Sequence, residues 1–184
     1  GRDRVMQLRI RLPSGDAFPD ALEQLGLRLS RDHGVAFQQR VYGVGSIPDL
    51  ARDDTFQIVR EALLNAFRHA KATRIMLEIT YGQEHVRVSV GDDGQGIDPL
   101  VMGERIASGH WGITGIRERA ERLGAELAIE SAAGEGTRII LDVPIHAKDA
   151  RSRGRSLLTR VRHWTFPRRV PVARSRDIRD RPKA

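Results

Sequence analysis

Between Ile58 and His69 the chain places Glu61, Asn65 and His69 four residues apart among Val59, Ala62, Leu63, Leu64, Ala66 and Phe67. Residues four apart share one face of a helix, so this stretch predicts a largely buried helix with a single polar stripe. A carboxylate, an amide and an imidazole on such a helix need polar partners, because unpaired burial costs roughly 1–3 kcal/mol per group. A bound ligand can supply those partners, and so can solvent if the stripe lies on the surface. The stripe alone does not choose between them. A second stretch, Gly91-Asp92-Asp93-Gly94-Gln95-Gly96-Ile97, follows an alternating apolar run and reads as a strand entering a glycine turn that opens with carboxylates. Its glycines allow sharp turning and close approach of backbone to a flat ligand.

The rest of the chain supplies a body around these two pieces. Asp16 is the expected cap of a helix carrying Phe18, Ala21, Leu22, Leu25 and Leu29, which Gly34 ends. Val35 to Tyr42 alternates as a strand, and Pro48-Asp49 begins the striped helix, expected to run to about Lys71. Arg74 to Thr80 and His85 to Gly91 predict a hairpin turning at Tyr81-Gly82. Gly112 to Leu123 predicts a helix with Gly124 as its C-cap, and Leu127–Ile129 and Arg138–Val143 predict two further strands. Helices mixed with hairpin-linked strands indicate the α+β class, a mixed sheet with helices on one face.

At 184 residues the chain accommodates one well-buried domain, and no stretch approaches the roughly 20 apolar residues of a membrane span. The absence of cysteine excludes disulfides and thiolate metal sites and favours a cytosolic setting. The net charge of +7 is unevenly divided: residues 1–144 hold 18 Lys and Arg against 21 Asp and Glu, while residues 145–184 hold 13 against 3. The basicity therefore belongs to the last forty residues, expected to form a disordered tail with at most a short helix around Leu157 to Trp164. The body, expected to span 13–144, is slightly acidic.

Four features carry candidate chemistry. The amide oxygen of Asn65 can ligate a hard cation, and Mg²⁺ commonly takes few protein groups beside phosphate oxygens and water. A carboxylate such as Asp92, held after a strand, can accept from an exocyclic amine and so distinguish adenine from guanine. Gly109 to Arg117 is a glycine-rich loop opening into a helix, whose free N–H groups and positive dipole end suit a phosphate. It is neither a P-loop nor a dinucleotide fingerprint, because no Gly-Lys-Ser/Thr follows and no strand immediately precedes it. Gly134-Glu135-Gly136-Thr137 sets a hydroxyl at the start of the last strand.

In this order the four motifs resemble the ATP-binding domain shared by histidine kinases, gyrase, heat-shock chaperones and mismatch-repair ATPases, over about residues 16–144. Glu61-Ala62-Leu63-Leu64-Asn65-Ala66-Phe67-Arg68-His69-Ala70 together with His110-Trp111-Gly112-Ile113-Thr114-Gly115-Ile116-Arg117 is similar to two-component sensor histidine kinases paired with helix-turn-helix response regulators. The resemblance implies a two-layer α/β sandwich that binds ATP with Mg²⁺. It implies that Asn65 ligates the metal, Glu61 assists phosphotransfer, Arg68 reaches a phosphate and His69 lines the nucleotide. Asp92 would accept from adenine, with Gly94, Gly96 and Ile97 shaping that wall. Gly112, Ile113 and Gly115 would form the phosphate-facing helix start, Thr137 a contact near the base, and residues 98–111 a lid. Residues 1–12 would be the remnant of a dimerising helical hairpin. None of the six histidines (33, 69, 85, 110, 146 and 163) has the setting of a phosphoacceptor, so the acceptor would lie on a dimerisation domain outside this chain.

Two other readings stand beside this one. The same fold serves serine kinases of the anti-sigma type and ATP-driven conformational switches. The basic tail could instead bind an anionic membrane or nucleic acid, although without interleaved aromatics it predicts no specific base reading.

Overall fold

The computed structural model describes residues 17–97, 112–145 and 157–159. The elements, in chain order, are α1 (Ala17–His33), β1 (Ala36–Tyr42), α2 (Asp49–His69), β2 (Arg74–Tyr81), β3 (His85–Asp92), α3 (Ile113–Leu123), β4 (Glu126–Ala132), β5 (Gly136–Pro144) and β6 (Leu157–Thr159). The strands form one sheet in the order β1-β2-β3-β5-β4-β6. Strands β2, β3, β5 and β4 pair antiparallel with their neighbours, while β1 joins β2 and β6 joins β4 in parallel. The sheet is therefore mixed and mostly antiparallel, as the α+β reading requires.

Strand periodicity decides which face the helices cover. Ile75, Leu77 and Ile79 of β2, Val86, Val88 and Val90 of β3, and Leu141 and Val143 of β5 are all buried. They meet a helical layer in which α1 contributes Phe18, Leu22, Leu25 and Leu29 at spacings of three and four. Helix α2 adds Phe56, Ile58, Val59, Leu63 and Phe67, and α3 adds Ile116 and Ala120. Thr55, the fully buried polar residue of α2, returns its hydroxyl to the Ala51 carbonyl at 2.7 Å, so it leaves no unpaired donor. The opposite sheet face carries the alternate residues and is charged: Arg87 donates to both carboxylate oxygens of Asp142 at 2.7 and 2.8 Å, and Arg138 reaches Glu78 and Ser89, each at 3.1 Å. The result is two layers with the apolar core between them. Truncating a side chain in that core leaves a cavity as well as losing buried area. Leu77→Ala is expected to cost about 2–5 kcal/mol of stability, read as a lowered midpoint in urea unfolding.

Two expectations about strands need correction. Strand β4 is longer than Leu127–Ile129, because Glu126, Glu130, Ser131 and Ala132 continue the ladder to β5 although they break the apolar alternation. In the tail, Leu157–Thr159 is not part of a helix. It pairs in parallel with Leu127–Ile129, where β4 would otherwise present unpaired backbone groups along an edge. The remnant expected at 1–12, the cap at Asp16, the lid at 98–111 with Trp111, and the rest of the basic tail, including Trp164, lie outside the described residues. Among the described residues no helix is long and apolar enough to cross a membrane.

Candidate functional site

The cavity that matters lies between the second half of α2 and the sheet. Asn65 and His69 of α2, Asp92 at the end of β3, Gly96 and Ile97 after it, Ile113 of α3 and Thr137 of β5 all line it. Two of the three stripe residues and the glycine turn, although distant in sequence, thus face one space. Helix α2 reaches the cavity because Ala62, Ala66 and Ala70, also four apart, stand beside the polar stripe and take up little room.

Asp92 ends β3 with only 4% of its surface exposed. Its Oδ1 accepts from the Gly94 N–H at 2.9 Å and the Thr137 N–H at 3.2 Å. Among the described residues no hydrogen bond reaches Oδ2, which leaves that oxygen for a donor in the cavity. Burial pushes the Asp92 carboxyl up to about 6; the two N–H donors work against that rise, and the neighbouring charge of Asp93 adds to it. Asp93 moves the opposite way. Partial burial would raise it, but hydrogen bonds from the Thr73 hydroxyl and the Arg74 and Thr73 N–H groups hold it below the usual carboxylate range. Of two adjacent carboxylates, one therefore faces the cavity and the other fastens the turn after α2.

The glycines allow this close assembly. At Gly96 the backbone is left-handed (φ 62°), and any Cβ would run into the Ala132 carbonyl, so only glycine lets the loop lie on β4. Gly94 rests on the Ala70 carbonyl in the same way, and Gln95 ties to α2 through its N–H to Ala70 O (2.8 Å) and its side-chain amide to His69 O (3.2 Å). Gly112 also has a left-handed backbone (φ 64°) at the start of α3, and a Cβ there would strike the Glu61 carboxylate. Glu61 accordingly lies against the first turn of α3, beside the cavity rather than in its lining. Gly115 faces the Arg119 guanidinium, and Arg68 is exposed and does not line the cavity.

Sequence reasoning named Ile97 and Ile113 but missed Ile129, Ile139 and Ser131. Ile97, Ile113 and Ile129 form a small apolar cluster with Ile139 against it, distinct from the main core. This gives the cavity a greasy wall close to a buried carboxylate, suited to a flat ring that carries an amine. Ser131, 3% exposed, accepts from the Ile97 N–H at 2.8 Å, donates to Gly136 O at 3.0 Å and meets the Thr137 hydroxyl at 2.9 Å. Its signal is the inward period of β4, in which Leu127, Ile129 and Ser131 point the same way.

The profile of the family described as histidine kinase-, DNA gyrase B- and HSP90-like ATPase matches residues 51–147, more than half of the chain. The chain belongs to that ATPase family. Over 97 residues it is 32% identical to the sensor histidine kinase LiaS of Bacillus subtilis, covering 53% of this chain and 26% of the relative. The sensor histidine kinase YxjM of the same organism is 31% identical over 123 residues, 67% of this chain and 27% of the relative. Among solved structures, the histidine kinase domain of the Erythrobacter litoralis EL346 blue-light activated histidine kinase superposes with a TM-score of 0.57 at 24% identity, covering 72% of this chain and 63% of that one. The chain spans about a quarter of the length of these two curated relatives. What the chain resembles within that family is the ATP-binding part of sensor histidine kinases.

Proposed function

We propose that this domain binds Mg-ATP in the cavity between α2 and the sheet and passes the γ-phosphoryl to a histidine outside the chain. That histidine would lie on the dimerisation domain of the same kinase, for relay to a response regulator, and the domain would be the cytosolic part of a membrane-bound sensor. The observation that carries the reading is the placement of Asp92: a buried carboxylate with one oxygen open to a cavity walled by isoleucines. An adenine seated there would donate its exocyclic amine to Oδ2, with Thr137 beside the ring, whereas guanine presents a carbonyl at the equivalent position and would be repelled.

The phosphates would then lie toward Asn65 and the start of α3. Among the described residues no group of three acidic, histidine or cysteine side chains could cage a metal. An amide oxygen from the lining suits Mg²⁺ carried in by the triphosphate, with Asn65 as its protein ligand. When bound, that ion would neutralise phosphate charge. The chain's own groups would do the positioning: the N–H groups around Gly112 to Gly115 would face the phosphates, Glu61 would orient the attacking imidazole, His69 would line the nucleotide and Arg68 would reach a phosphate. Positioning and charge neutralisation carry most of such a transfer.

The test is to supply the dimerisation domain of the parent kinase with this chain and γ-labelled ATP. Acid-labile, base-stable label on that domain is expected, as phosphohistidine gives. Label on serine, or ATP turnover with no phosphoprotein, would replace this reading with another reaction of the same fold.

A further inference from the structure

Helices α2 and α3 lie side by side next to the candidate site and run antiparallel. Asp54, in the second turn of α2, meets the second half of α3, where Arg122 Nη2 lies 2.7 Å and Arg119 Nε 3.9 Å from its Oδ1. Two turns further along α2, Glu61 meets Gly112 at the start of α3. Arg119 also donates from Nη1 to the Gly115 carbonyl at 2.9 Å, so a single guanidinium links Asp54 to the first turn of α3.

Apolar packing fixes which face of α3 turns inward, through Ile113, Ile116 and Ala120. Close packing of that face limits sliding along the axis, and a carboxylate bridged to two arginines of α3 adds a directional restraint to it. One residue of slip moves a helix by about 1.5 Å, and a misplacement near 1 Å can cost on the order of 100-fold in a positioned reaction.

We propose that Asp54, with Arg119 and Arg122, is a positioning cluster that sets the axial placement of α3 and thereby where Gly112 and Gly115 meet the nucleotide's phosphates. This rests on the functional reading above, in which the start of α3 faces phosphate. The cluster touches no substrate. Arg122 is 59% exposed and Asp54 29%, and exposed ion pairs contribute little to stability, so the cluster acts on geometry rather than on folding.

The test compares Mg-ATP and adenosine affinities of the intact chain, by displacement of a fluorescent nucleotide, in wild type, D54A, R122A and D54E. Adenosine reads the base pocket alone. D54A is expected to weaken Mg-ATP by about 3- to 10-fold while adenosine stays within about twofold, with R122A following in the same direction and D54E recovering most of the loss. R122A truncates a mostly exposed side chain and decides the question should D54A not fold. A wild-type ratio of ATP to adenosine affinity in D54A and R122A overturns the proposal. So does an equal loss of both ligands, which would mark a merely structural role. A folded wild type that binds neither ligand overturns the functional reading itself, and this inference with it.

Discussion

Glu61→Ala is expected to slow phosphotransfer to a supplied acceptor by about 100-fold or more while nucleotide affinity changes little. Groups that position or deprotonate a reacting atom are typically worth that much. Glu61 is suited to the role because it stands one turn from Asn65 and lies against the glycine that opens α3, at the edge of the cavity rather than inside it. Asn65→Ala is expected to lose transfer by a different route. Asn65 lines the cavity on α2, so its removal should abolish the dependence of ATP affinity on Mg²⁺. Single-turnover transfer and titrations with and without the ion separate the two. Equal transfer rates in wild type and E61A would remove Glu61 from the mechanism.

Asp92→Asn is expected to abolish adenine recognition and to make the protein more stable at neutral pH. The substituted amide would keep an oxygen for the Gly94 and Thr137 N–H groups, but its nitrogen would point a donor at the donor of adenine. Stability moves the other way for an electrostatic reason. With its pKa raised from 3.8 to about 6, the folded state holds a proton at Asp92 more tightly than the unfolded chain does. The contribution of Asp92 to stability is therefore complete below about pH 3.8 and is lost as the pH rises through about 6, a change on the order of 3 kcal/mol. The neutral amide escapes that loss, so D92N should melt several degrees above wild type at pH 7.5 and close to it at pH 4. Binding should respond in the opposite sense: the acceptor is the carboxylate, so wild-type ATP affinity is expected to fall as pH drops below about 6. Binding at pH 6 should release protons, seen as a buffer-dependent enthalpy in calorimetry.

Elements whose side chains follow a clear period can be read from the chain directly. Helix α2 is legible through its buried residues and its stripe, and Gly124 ends α3 with a left-handed backbone (φ 62°), as its position predicts. Strand β4 reads short in the sequence because Glu126 and Glu130 lie on the charged face of the sheet, where polarity carries no information about pairing. Strand β6 reads as helix at most, because its pairing depends on the free edge of β4, distant in sequence, and not on its own composition. The same logic applies to the site. Asp92, Asn65 and Gly96 carry their chemistry in their identities. Ile129 and Ile139 of the isoleucine wall and the Ser131 hydroxyl do not, since each becomes part of the site only when β4 and β5 meet the turn after β3.

The proposed adenine pocket is built on Asp92 and would be completed by a magnesium-bound triphosphate at Asn65. Titrating ATP, ADP and GTP against the chain, with and without Mg²⁺ and with D92N as control, tests it most directly. Adenine-selective binding that strengthens for ATP with Mg²⁺ and disappears in D92N is expected. A folded wild type that binds none of the three, or binds GTP as tightly as ATP, would contradict it.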